Sequence, residues 1–90
     1  MIVPVQPAHQ FSHNGVTVHV YHADRGQGLP QHEHVFNHVT MCNSGSFVVR
    51  KQNIEKICDK TTQPIDLKAM EWHEIEALED GTVFVNIFSA

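Results

Sequence analysis

The chain has 90 residues, of which 41% are hydrophobic and 18% are charged, and this predicts one soluble globular domain because a second independent core does not fit in this length. The formal net charge is −4 with only six Lys and Arg, so the basic surface that a nucleic-acid partner requires is not expected. Two cysteines, Cys42 and Cys58, are too few for a disulfide framework and favour a reducing, cytoplasmic location.

The N-terminal segment MIVPVQP is extended and apolar and contains two prolines, which suits an edge strand. It carries no charged leader, and no run in the chain approaches the ~20 apolar residues of a membrane helix, so no membrane partner is expected. The segment could instead cross to a neighbouring subunit. We therefore expect a homodimer that pairs through its edge strands.

Alternation with a period of two residues predicts strands along most of the remaining chain. In GVTVHVYH the valines fall on one face, while Thr17, His19 and Tyr21 fall on the other. Six further segments have strand length and are rich in β-branched or aromatic residues: HVTMC, SFVVRKQ, IEKIC, PIDL, HEIEAL and TVFVNIF. Turn signals such as HNG, NSGS and LEDG separate them, and no stretch sustains helical periodicity.

This even spacing of short strands and turns predicts an all-β sandwich or barrel. We expect a single domain over residues 1–90, in which residues 1–15 form an N-terminal extended edge segment and residues 16–88 form the barrel core.

Histidines are concentrated in one stretch of the chain. His32 and His34 are two residues apart, so on a strand they point to the same side. His38 follows after three residues, and His73 comes from a strand distant in sequence. Neutral imidazoles that converge in this way can share a divalent metal such as Zn, Fe, Mn or Ni.

The other histidines, His9, His13, His19 and His22, are interpreted as surface or pocket-lining residues. His19 and His22 are three apart, which places them on opposite faces of a strand. His19 and Tyr21 share a face and could reach the barrel mouth as a proton-donor pair, although cross-strand packing is the plainer interpretation.

The frame around the histidine triplet resembles the first motif of the cupin family. That motif is Gly, five residues, His-x-His, three or four residues, Glu, six residues, Gly, and the chain reproduces its intervals from Gly26 through His32, His34 and position 38 to Gly45. His38 stands where the family usually has Glu. In the second motif only His73 is retained, since Lys68, Met70 and Ala77 replace the usual Pro, Gly and Asn.

The resemblance implies a small double-stranded β-helix barrel of about six to nine short antiparallel strands. It also implies one divalent transition metal per chain (Fe, Mn, Ni or Zn), held by His32, His34, His38 and His73 as in the four-histidine subset of small cupins. Four neutral imidazoles leave a dication with its full +2 charge, so the site should favour anionic ligands. A centre with three working ligands, from which His38 is displaced, is the alternative.

Two classes of function fit this site, and both involve a small-molecule partner. The first is a metal-dependent enzyme, either dioxygenase-like with a redox metal or an isomerase or lyase with a Lewis-acid metal. The second is a non-catalytic, metal-containing module that binds or senses a small molecule. No obvious acid–base pair of carboxylates is present, so any catalysis is expected to depend on the metal.

Overall fold

A computed structural model of the chain describes residues 1–32 and 37–89, and describes residues 32 and 89 by their backbone. The described residues form ten strands and no helix, as the alternation predicts. The strands are β1 (Val3–Pro4), β2 (His9–His13), β3 (Val16–Ala23), β4 (Gln27–His32), β5 (His38–Ser44), β6 (Ser46–Lys51), β7 (Ile54–Asp59), β8 (Ile65–Leu67), β9 (His73–Ala77) and β10 (Thr82–Ser89).

The strands form two five-stranded sheets that enclose one interior. The first sheet has the order β1-β4-β9-β6-β7, and the second has the order β2-β3-β10-β5-β8. Every described pairing is antiparallel except that of β1 with β4, which is parallel. The all-β barrel class predicted from the sequence is therefore confirmed, with a short parallel strand at the edge of the first sheet.

Strand β2 was not predicted, because its residues are polar apart from Phe11 and show no apolar alternation that could indicate it, and all five are exposed. It forms because its backbone pairs with β3 from His13 opposite Val16 to His9 opposite Val20. Pairing with a neighbouring strand thus overrides local composition here.

The apolar core occupies the space between the two inner faces. Phe47, Leu67, Ile75 and Phe84 are fully buried. Tyr21 stacks on Phe84 with ring centroids 4.9 Å apart and an interplanar angle of 13°. Towards one end of the barrel, the inward positions of β5, β9 and β10 carry polar residues, namely His38, Thr40, His73 and Asn86. The interior therefore changes from apolar to polar along these strands.

Gly28 allows β4 and β9 to lie close together. A Cβ on Gly28 would overlap the backbone carbonyl of Ile75, so glycine lets β4 lie tightly against β9. The pairing continues to His32, which stands directly opposite His73 in register. Among the residues described here, no helix is long and apolar enough to span a membrane.

Candidate metal centre

Two of the four predicted ligands meet inside the barrel. His38 begins β5 in one sheet and His73 begins β9 in the other, yet their ring centroids lie 5.4 Å apart at an interplanar angle of 69°. His38 is 5% exposed and His73 is fully buried. Residues separated by 35 positions are thus brought together because the two sheets face each other here.

The tautomer of His73 is set by its backbone surroundings. Its Nδ1 lies 3.0 Å from the carbonyl oxygen of Glu71. A carbonyl oxygen can only accept a hydrogen bond, so Nδ1 carries the proton and donates it. In the neutral imidazole the lone pair therefore resides on Nε2.

A hydroxyl sets the tautomer of His38 in the same way. Thr40 Oγ1 donates to Asn86 Oδ1 at 2.7 Å and lies 3.1 Å from His38 Nδ1. The hydroxyl has one proton, which this bond to Asn86 uses, so it must accept from His38. Nδ1 of His38 is then the donor and Nε2 again carries the lone pair.

This pattern fits a divalent transition metal. Histidines that bind metals usually donate the second ring N–H to a carbonyl or another acceptor, which fixes the ring and its tautomer. Both His38 and His73 have that arrangement, and both are buried.

The remaining predicted ligands are not tested by the structure. His34 and the side chain of His32 lie outside what the structure describes, and His32 is placed by its backbone opposite His73. Among the described side chains, no group of three or more His, Cys, Asp or Glu could hold a metal ion. The four-histidine centre therefore stays a prediction.

A cavity of about 490 Å³ opens beside His38. Its walls are mainly apolar, and the N-terminal segment, residues 4–7, forms one side of it. The described residues that line it are Pro4, Val5, Gln6, Pro7, His19, Tyr21, Leu29, Pro30, Gln31, His38, Asn86 and Phe88. None of these described residues is acidic, and a small molecule of drug-like size or less fits this volume.

Comparison with solved structures identifies the architecture. KdgF from Halomonas sp. superposes with a TM-score of 0.80 at 18% identity, covering 90% of this chain and 74% of that one. A cupin domain from Bordetella pertussis has a TM-score of 0.73 at 17% identity, covering 100% of this chain and 97% of that one. A cupin protein from Bacteroides fragilis has a TM-score of 0.70 at 21% identity, covering 86% and 68%.

The chain has the cupin fold. No family model matches it, and neither does any curated protein. The cupin likeness predicted from the first histidine motif is thereby confirmed as a fold.

In this cupin barrel the pocket carries a pair of groups that can exchange protons. The Tyr21 hydroxyl lies 3.5 Å from His19 Nδ1, and the His19 ring packs edge-on against Phe88 at 4.8 Å. Burial raises the pKa of Tyr21 above its usual 10.0, and a hydrogen bond from Asn86 partly offsets this. Tyr21 is therefore a neutral phenol at neutral pH, with its proton available to a bound molecule.

Two site residues, Thr40 and Asn86, were missed at the sequence level. Both are buried and together they link the Tyr21 hydroxyl to the His38 ring. A signal for Asn86 is present: in TVFVNIF it shares the inward parity of Phe84 and Phe88, and a polar residue at an inward position requires a partner. Alternation alone cannot say which partner it finds.

His19 and His22 lie on opposite faces of β3, as their spacing predicts. His19 lines the pocket, and His22 lies on the exposed side of the same strand. There His22 meets His9 of the neighbouring strand, with ring centroids 6.1 Å apart, a cross-strand contact that the sequence did not indicate.

Proposed function

We propose that this protein is a small metal-dependent cupin that binds a small, anionic molecule in the cavity beside His38 and transforms it by proton transfer. His38 and His73 would hold the metal together with His32 and His34. The observation that supports this most strongly is that both described imidazoles donate through Nδ1, which leaves Nε2 as the ligating nitrogen.

The metal would act as a Lewis acid that polarises an oxygen of the bound molecule. The residues of the chain would supply the rest of the chemistry. Tyr21 holds a proton at neutral pH and faces the cavity, so it can donate that proton to a substrate atom. Asn86 stabilises the phenolate that forms, and His19 is close enough to return a proton to it.

The composition of the cavity wall supports an anionic ligand. Neutral imidazoles do not reduce the charge of a dication, and no acidic residue is found among the described residues of the wall. Phe88, Leu29 and Val5 contribute apolar side chains to the wall, as is typical of sites for small molecules.

This arrangement favours the isomerase or lyase alternative within the enzyme class, because Tyr21 and His19 are groups that such reactions require. The dioxygenase-like activity stays a prediction that depends on a redox metal. A non-catalytic binding or sensing module would use the same cavity, and a measurement of turnover distinguishes it from an enzyme.

The first experiment measures metal content by elemental analysis in the wild type, His73→Ala and the control His22→Ala. His22 is exposed and outside the cavity, so we expect the control to retain about one metal per chain and His73→Ala to lose most of it. Equal metal content in all three proteins would remove the basis of the proposal.

A second experiment uses the metal-loaded protein and a panel of small hydroxy, keto and enol carboxylates. We expect turnover by the wild type and a loss of about 10²–10⁴-fold in kcat for Tyr21→Phe, with metal content unchanged. Binding of these compounds without turnover by the wild type would support the binding module and contradict the enzyme.

A further inference from the structure

The cavity beside His38 has two walls of different chemistry, and they come from different sheets. β3 and β10 of the second sheet contribute Phe88 and the polar side chains of His19, Tyr21 and Asn86. The N-terminal segment and β4 of the first sheet contribute mainly apolar side chains, with the uncharged carboxamides of Gln6 and Gln31 beside them. We call these apolar side chains the apolar wall, and its described members are Pro4, Val5, Pro7, Leu29 and Pro30.

The apolar wall is held in place by the pairing of β1 with β4. Pro4 pairs with Gly28 in register. The amide of Val5 donates to the carbonyl of Gly28 at 3.0 Å, which places Val5 beside Leu29. Leu29 stands opposite the fully buried Ile75, so its side chain points into the barrel. Val5 and Leu29 both pack against the hydrophobic core, so a molecule in the cavity meets an apolar surface that is continuous with the core.

No Lys or Arg side chain reaches this cavity. The chain has six Lys and Arg, all of them among the described residues, and none belongs to the cavity wall. Arg50 is held on the outer face of the first sheet by ion pairs with three glutamates at 2.9, 3.0 and 3.3 Å. Lys51 Nζ lies 3.3 Å from Glu71 Oε1. The remaining four lie on β7 or in the connections between strands, and they are Arg25, Lys56, Lys60 and Lys68.

We infer that the ligand of this cavity is a 2-hydroxy or 2-oxo acid with a single negative charge and an apolar tail. The inference rests on the proposed function, in which the acid group binds the metal at His38. The tail then lies against Val5 and Leu29, where the burial of apolar surface favours binding. A second negative charge on the tail would leave water without a cation to pair with, which is strongly unfavourable.

The test compares two acids that have nearly the same shape and the same metal-binding head. In 2-hydroxyglutarate the tail ends in a carboxylate, and in 2-hydroxy-5-methylhexanoate an isopropyl group takes the place of that carboxylate. Each acid is titrated calorimetrically into the zinc-loaded protein at pH 8, above the usual titration range of histidine, so that His19 does not supply a positive charge. We expect the dissociation constant of 2-hydroxyglutarate to be higher by about 30-fold or more.

A charge on the apolar wall should reverse this selectivity. Val5→Lys introduces the missing cation, and we expect it to tighten the binding of 2-hydroxyglutarate by about tenfold or more and to weaken that of 2-hydroxy-5-methylhexanoate. Ile57→Lys is the matched control, because Ile57 is 66% exposed and does not line the cavity. At ~0.15 M salt, where exposed charges are screened beyond ~8 Å, the control should retain the selectivity of the wild type.

The possible results separate this inference from the proposed function. If the wild type binds both acids equally well, the inference is wrong and the metal-binding head is unaffected. If the zinc-loaded wild type binds neither acid, the proposed function fails and the inference fails with it. Selectivity that is the same in Val5→Lys as in the wild type would show that the apolar wall does not select the tail. Should Val5→Lys not fold, Gln6→Lys replaces it with the same expected result, since Gln6 is an exposed neighbour that also lines the cavity.

Discussion

Replacing Thr40 by valine tests the hydrogen-bond chain that connects the cavity to the candidate metal centre. The substitution keeps the shape of the side chain and removes one hydroxyl. That hydroxyl accepts from His38 Nδ1 at 3.1 Å and donates to Asn86 Oδ1 at 2.7 Å. Thr40 is 1% exposed, so water does not readily replace it.

The expected cost follows from the two groups that lose this partner. A buried polar group whose hydrogen bond is removed costs about 1–3 kcal/mol. We therefore expect the free energy of unfolding of the metal-free protein to fall by about 2–4 kcal/mol, since both the imidazole N–H and the amide oxygen are affected. Because the Nδ1 donor bond also orients His38, metal affinity should fall about 10–100-fold.

Urea unfolding and calorimetric titration with Zn²⁺ measure the two effects. Thr17→Val is the matched control, since the Thr17 hydroxyl makes an exposed bond of 3.0 Å with Ser12 and its loss should change stability by no more than about 0.5 kcal/mol. If Thr40→Val matches this control in both stability and zinc affinity, the hydrogen-bond chain does not position His38.

Three further predictions follow from the same geometry. Because burial raises the pKa of Tyr21 above its usual 10.0, the contribution of Tyr21 to the free energy of unfolding should be constant well below pH 10 and should fall above it. Urea unfolding should therefore show a smaller fall in stability above pH 10 for Tyr21→Phe than for the wild type, and equal falls in both proteins would contradict this. Gly45→Ala should destabilise the protein by at least about 2 kcal/mol, since its Cβ would lie 2.5 Å from Thr82 Oγ1 at a φ of +74°. Gly81→Ala is the control, because Gly81 has a φ of +72° and open space around it, and it should lose only the ~1–2 kcal/mol of a left-handed backbone. Thermal unfolding compares the two variants, and equal losses of stability would refute the close approach at Gly45. His38→Glu should weaken the binding of small carboxylates to the metal-loaded protein by lowering the charge of the site, and calorimetry that shows unchanged affinity would mean that His38 does not set that charge.

The fold was predictable because period-two alternation and turn signals recur along the chain. The meeting of His38 and His73 was predictable for a different reason: the intervals around Gly26 and Gly45 match a known motif, and strand parity places both imidazoles inward. Thr40 and Asn86 were not predicted, because parity indicates which face a polar residue occupies and gives no information on its partner across another strand.

Surface features were the least predictable. Strand β2 depends on pairing with β3, which no local pattern of its polar residues indicates. The direction of the valines in GVTVHVYH was also not predictable, because they could equally have faced the core. Only the inward placement of Tyr21 and His19 shows that Val18 and Val20 face outward.

X-ray absorption at the metal edge of the protein as isolated tests the central proposal most directly, because it reports both the element and the atoms bound to it. We predict one divalent transition metal with imidazole nitrogen ligands and at least one exchangeable oxygen ligand, and a loss of the metal signal in His73→Ala. A closed four-coordinate zinc without an oxygen ligand, sulfur ligands in place of imidazole, or the same spectrum in His73→Ala would contradict a catalytic metal at His38 and His73.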